Sequence, residues 1–359
     1  MTYLYRRIIV WLLAAFIILT YPSAGSAAGP VSKSVKVDGH PVTMVISPLS
    51  GTRLAPLLAN NRTGQVNDLA VMAKTAGAVT AVNGSFFNAY NPADMVSWGT
   101  LVINGELIRR GGSGGALGIA GDGTLQFSRL RTTITGHLDG ASKADLKTWQ
   151  QYMKNWYAWD ININIANNPQ AIVIFTPRFG QPMKAPVATT ITVRQGVIAS
   201  IQSGPVPIPA DGYVIGLGSS CQEILTHFKV GDSCTYTASF ADDLGNQLDW
   251  TGMQHIIQAG PILVKDGAIA LNIKADNMTE PKFYQRSSWS FIAVDKKNNV
   301  VLGTVSGVTM SQMAATVQKL GMQNAMALDG NASCALYHQG KYLIKPGRKI
   351  SNGLALFPR

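Results

Sequence analysis

The sequence predicts an α+β chain, a large mixed and strand-rich sheet with a few helices packed on it. Three observations predict it. First, 36 glycines beside a charged fraction of only 14% favour strands joined by tight turns. Second, short apolar runs recur between turn dipeptides such as Asp38-Gly39, Asn104-Gly105 and Asp122-Gly123. Third, helical spacing appears in only about four scattered places, so the chain does not alternate as βα units. At 359 residues it is long enough to bury a large core.

The elements follow in order. Arg6 and Arg7 precede the 13-residue apolar run Ile8 to Thr20 and the small residues Ser23 to Ala28. That is the form of an export signal over residues 1–28, and the run is short for a membrane span. Cleavage leaves no stable span, so the expected location is periplasmic or extracellular. Val31 to Leu49 alternates around Asp38-Gly39 as a hairpin. Asn67 to Thr75 has helical spacing behind an Asn cap, and Ala78 to Val82 is a buried strand ending in Asn83-Gly84-Ser85-Phe86-Phe87-Asn88.

Leu101 to Arg110 and Leu117 to Phe127 read as hairpins, separated by the flexible glycine cluster Gly111 to Gly115, placed to border a site. Ser142 to Trp159 reads as the clearest helix, with Trp149, Tyr152, Trp156 and Trp159 along one side. Strands follow at Gln170 to Thr176, Thr189 to Ile201, Gly212 to Leu217 and Ser233 to Phe240, with a short helix at Cys221 to Phe228. His255 to Val264 is a strand broken by Gly260-Pro261, which argues for a special backbone position there. His255 reads as a satisfied core histidine and Asp266 as a hairpin turn. Ser288 to Asp295 and Val300 to Val305 form a hairpin, Ser311 to Leu320 a helix closed by Gly321, and Ile350 to Phe357 the last strand.

The formal charge is +11, or +9 once Arg6 and Arg7 are removed. A basic exported protein suits a phosphorylated glycan or an anionic envelope polysaccharide. Nucleic acid is not expected, because no Lys/Arg run or aromatic-basic interleaving occurs. Cys221 and Cys234 bracket 12 residues and could close a disulfide worth roughly 3 kcal/mol, leaving Cys334 as a buried thiol. Neither CxxC nor HExxH spacing occurs, no carboxylate cluster calls for a divalent metal, and no cofactor is implied.

The stretch with chemical content is Ala325 to Tyr337. An apolar strand delivers one carboxylate, Asp329, then turns through Gly330, Asn331, Ala332 and Ser333. A carboxylate beside a buried strand is costly unless paired or used. The plain alternative is an Asp-Gly hairpin turn.

Five segments then fall into an order. Asn83-Gly84-Ser85-Phe86-Phe87-Asn88, Gln258 to Gly267, Gln285-Arg286-Ser287-Ser288-Trp289, Leu320 to Ser333 and Ser351 to Ala355 together resemble the motifs of the phosphodiester glycosidase family. The resemblance spans about residues 78–357, so residues 31–359 read as one such domain; residues 130–249 carry no family motif and read as an elaboration. It departs from the family at Asn331, Ala332 and Ser287, where glycines and a threonine are usual.

The resemblance implies hydrolysis of a glycosyl-1-phosphodiester. The departing phosphate monoester is a good leaving group, its second pKa being about 6, so a strong general acid is not required. A cation to neutralise phosphate and a carboxylate to activate water or support the oxocarbenium-like centre suffice. Arg286 and Asp329 suit these tasks, with Asn83 as the third catalytic candidate. Gly84, Ser85, Phe87, Gly260, Gly330, Asn331 and Ser333 are the candidate substrate-binding positions. The alternative on the same scaffold is a non-catalytic exported glycan-binding or envelope-binding protein.

Overall fold

The structure is a computed structural model that describes residues 29–92, 94–139, 154–165, 168–180, 183 and 187–359. The export signal expected over residues 1–28, and most of the helix expected from Ser142, lie outside the described residues.

Strands dominate, and they do not form one large sheet. Among the described residues they form four, two of seven strands and two of five. The first seven-stranded sheet runs Val31–Val37, His40–Pro48, Asn299–Val308, Ser287–Asp295, Met322–Gly330, Ile262–Lys265 and Ala268–Ile269. A five-stranded sheet beside it runs Lys341–Ile344, Leu336–His338, Thr80–Asn83, Asn352–Pro358 and Thr52–Leu58. The second seven-stranded sheet is built around Leu125–Leu138, Gly114–Ala120 and Met253–Gln258. The remaining sheet, centred on Ile172–Phe175 and Gly212–Leu217, covers part of the expected elaboration. Among the described residues every strand pairing is antiparallel except that of Asp160–Ile161 with Ile172–Phe175.

The α+β expectation is therefore corrected to a nearly all-β fold. Among the described residues only three α-helices occur: Leu69–Ala76, Gln222–Leu225 and Met310–Lys319. The physical reason is visible at Asn155–Ala158. Trp156 and Trp159 fit helical spacing, but Leu125–Leu138 needs a partner along its far edge, and Asn155–Ala158 supplies it by pairing with Ile134 to His137. The burial there has the period of a strand: Trp156 and Ala158 are buried, Tyr157 and Trp159 half exposed.

Where sequence periodicity and capping chemistry agreed, helices formed. Met310–Lys319 starts on Thr309, whose hydroxyl accepts from the Gln312 amide while the Gln312 side chain accepts from the Thr309 amide. Its buried Met310, Met313, Ala314 and Val317 cover the outer face of the first sheet. Leu69–Ala76 is capped by Asp68 rather than by Asn67, because the Asp68 carboxylate accepts from the amides of Ala70 and Val71. The central core lies where three sheets meet, with Val45, Ile292 and Leu328 against Leu54, Val82 and Leu354, and both against Leu101, Leu117 and Ile257.

The expected disulfide is not made. Cys221, Cys234 and Cys334 are free and buried. The Cys221 thiol donates to the Pro169 and Ala171 carbonyls at 3.8 and 3.6 Å, whereas the Cys234 sulfur accepts from the Tyr213 hydroxyl at 3.6 Å. The thiols of Cys221 and Cys234 are small apolar fillers of the same core cluster.

Candidate active site

The strand Met322–Gly330 ends at a hollow of about 330 Å³. Asp329, Gly330, Asn331 and Ser333 form one wall, Phe86, Phe87 and Trp98 a second, and Lys282 and Arg348 bring positive charge to it. Asp329 is half-buried, and its carboxylate accepts from the Gly330 amide at 2.8 Å and from the Ser333 hydroxyl. Burial raises its pKa to about 6, against the lowering effect of those two hydrogen bonds and of the charges on Arg348 and Lys282.

Asn83 sits behind the hollow and is fully buried. Its Nδ2 donates to the Asp329 carbonyl at 2.6 Å, and its Oδ1 accepts from the Ser290 hydroxyl at 2.6 Å and the Ala335 amide at 2.9 Å. Three separate strands and the segment after Asp329 are thereby joined by one side chain. Asn83 consequently positions Asp329 and does not line the cavity.

Gly84 adds the reciprocal backbone bond, its carbonyl accepting from the Asp329 amide at 2.9 Å. A Cβ at Gly84 would lie 2.2 Å from Oδ1 of Asn352, so the close approach requires glycine. Asn352 is itself fully buried, and that same Oδ1 accepts from the Ser85 amide at 2.7 Å. Gly330 is needed for the same kind of reason: an added Cβ would meet the Trp289 ring at 2.4 Å.

The departures from the family pattern are absorbed. Asn331 takes the left-handed conformation at φ 54° that an asparagine tolerates, and its side chain accepts from the Ser287 hydroxyl. Ala332 is not among the residues at positive φ, so the strain expected of an alanine there does not arise.

The structure does not bring Arg286 into this cavity. It is exposed, and its guanidinium donates to the Gly307 carbonyl at 2.9 Å. The cations on the hollow are Lys282 and Arg348, which no motif had pointed to. Lys282 pairs with Glu280 at 2.7 Å while its ammonium lies 4.7 Å from the centre of the Trp98 ring. The Arg348 guanidinium lies over the Tyr90 ring and donates to its hydroxyl at 2.9 Å. Tyr90 is 86% and Trp98 43% exposed, an arrangement that leaves two aromatic faces at the mouth. Neither Arg348, in the segment before the last strand, nor Lys282, in a single turn after Pro281, carried a sequence signal.

Ser85 and the glycine cluster border a smaller adjoining hollow of about 130 Å³ that shares Phe86, Trp98 and Glu280 with the first. The cluster is clamped rather than flexible. Gln258 Nε2 donates to the carbonyls of Gly112 and Gly114 at 3.0 and 3.2 Å, and its Oε1 accepts from the Thr100 amide at 2.8 Å. Gly260, at φ 72°, lines neither hollow; it packs against the Gly115 backbone where the chain passes between the two seven-stranded sheets.

No curated protein matches the chain by sequence. A hypothetical protein from Synechocystis shares the fold at 23% identity and a TM-score of 0.74, over 91% of this chain, which spans 61% of that protein's length. A protein of Burkholderia pseudomallei K96243 described as exported shares it at 19% identity and a TM-score of 0.69, over 89% of this chain and 74% of its own. Residues 187–357, which contain Asp329, Lys282 and Arg348 and four of the five sequence motifs, match the phosphodiester glycosidase family, and the Asn83 segment that precedes them is tied to their Asp329 by two hydrogen bonds.

Proposed function

We propose that the chain hydrolyses glycosyl-1-phosphodiester bonds of glycans or envelope polysaccharides outside the cytoplasm. The observation that carries this reading is the hollow itself, in which one buried-strand carboxylate, Asp329, is held by Ser333 and Gly330 between two cations, Lys282 and Arg348. A phosphodiester brings one negative charge, which Arg348 meets directly and Lys282 meets while also paired with Glu280, and the phosphate monoester leaves as a stable anion. Ionised Asp329 activates water or supports the oxocarbenium-like carbon, with no strong acid required. Trp98 and Tyr90 offer the aromatic faces on which a sugar ring stacks, and the export-like segment at residues 1–28 supports a place beyond the membrane.

Incubation with a synthetic sugar-1-phosphodiester, followed by release of free sugar, tests the reading. The expected result is turnover that Asp329→Asn reduces by about 10³-fold with the fold intact. Binding of phosphorylated glycan without release of sugar, equal in wild type and Asp329→Asn, would instead mark a non-catalytic glycan-binding protein.

A further inference from the structure

The strands that deliver the Asp329 hollow have an opposite end. Met322–Gly330 carries Asp329 near one terminus and Asn324 five residues earlier, about 17 Å away at the rise of a strand. Asn352–Pro358 runs likewise from buried Asn352 to Pro358. At that far end two cavities of about 450 and 400 Å³ share Leu49, Asp122, Gly123 and Arg359, and so form one groove. It has no lining residue in common with the Asp329 hollow.

His255 is built into the groove wall and is only 7% exposed. Its Nδ1 accepts from the Asn104 amide at 3.2 Å. A backbone amide can only donate, so the neutral ring carries its proton on Nε2. Burial and the nearby charge of Arg53 hold the imidazole neutral at physiological pH, its pKa lying down at about 4. Among the described residues no acceptor meets that Nε2–H.

Arg53 lies on the same wall. Its guanidinium carbon lies over the Phe357 ring, 4.2 Å from the ring centre, and it makes no ion pair among the described residues. Arg359 adds a second guanidinium, whose Nη2 donates to the Asp122 carbonyl at 3.4 Å. The rim carboxylate, Asp122, is exposed and occupied by the Thr124 amide at 2.8 Å. An unused imidazole donor beside a guanidinium with no ion-pair partner is a donor set for oxygen anions, since the planar fork of arginine matches a carboxylate or phosphate edge.

We propose that this groove is a second anion site, separate from the Asp329 hollow, which takes a phosphoryl or carboxylate group between the Arg53 guanidinium and His255 Nε2–H. The site does not depend on the hydrolytic reading, because none of its residues belongs to that hollow.

The test is titration of the isotopically labelled full chain with inorganic phosphate and, separately, with galacturonate, using glucose as the neutral control. The His255 ring resonances report the site and calorimetry gives the affinity. The expected result is a shift of the His255 resonances with phosphate, galacturonate or both and none with glucose; the tighter anion identifies the source. Arg53→Gln, an exposed change that leaves the core intact, should weaken binding about tenfold, and Asp329→Asn should leave it unchanged. Two results overturn the proposal: His255 resonances indifferent to both anions, or an affinity that falls in Lys282→Ala and not in Arg53→Gln.

Discussion

Asp329 joins two opposed demands in one side chain. Its carboxyl must be ionised to serve hydrolysis, yet burial raises its pKa to about 6. The rate should therefore fall as pH drops through about 6, and a pH profile of kcat/KM on a sugar phosphodiester checks this. Stability moves the other way. Between the unfolded carboxyl value of 3.8 and about 6 the folded chain holds a proton that the unfolded chain has released, so stability declines as pH rises across that window. Asp329→Asn, which cannot ionise, should be more stable than wild type above pH 6 by about 1–3 kcal/mol in denaturant unfolding. The cations separate in the same way. Arg348→Ala should lower kcat/KM by about 10²-fold, whereas Arg286→Ala, whose guanidinium meets only the Gly307 carbonyl, should leave it within about twofold. Equal losses in the two variants would return the phosphate-binding role to Arg286.

At the scale of elements, the hollow depends on turns that bring backbone against backbone. Gly330 lies flat on the Trp289 ring, with the Ser288 carbonyl 2.5 Å from where a Cβ would stand. Gly330→Ala should consequently cost about 1–3 kcal/mol in unfolding free energy and displace Asp329, which circular dichroism melts and residual turnover together would reveal. Neighbouring Asn331 needs no such protection, since its φ of 54° suits an asparagine. Hairpins were legible for the same local reason: Asp38-Gly39, Asn104-Gly105 and Asp266-Gly267 all place both residues at positive φ. The described part of the stretch expected to be helical after Ser142 was not, because the pairing demand of Leu125–Leu138 outweighed the spacing of Trp156 and Trp159.

Over the whole molecule, three of the four sheets converge on one shared core and leave a charged hollow at one end of their strands and a basic groove at the other. Covalent cross-links play no part in holding that arrangement among the described residues, where Cys221, Cys234 and Cys334 are free and buried. Burial pushes the thiols of Cys234 and Cys334 up to about 11, which keeps them protonated and unreactive. The melting temperature should accordingly be the same within about a degree with and without dithiothreitol, and a thiol reagent should label the cysteines only after unfolding. A clear drop in melting temperature on reduction would restore the Cys221–Cys234 bridge.

What the sequence determined by itself were the features governed by near neighbours. The turns, the helix from Met310 to Lys319, the buried strand into Asp329 and the family motifs follow from backbone preferences and short-range hydrophobic pattern. Tertiary structure decided how many sheets those strands make and which side chains share a cavity. Lys282 and Arg348 reach Asp329 from segments 47 and 19 residues away in sequence, and nothing local to either marks the meeting. Local spacing states which face a side chain takes, but contacts across hundreds of residues, such as the hydrogen bond from Asn83 to the Asp329 carbonyl, settle what that face meets.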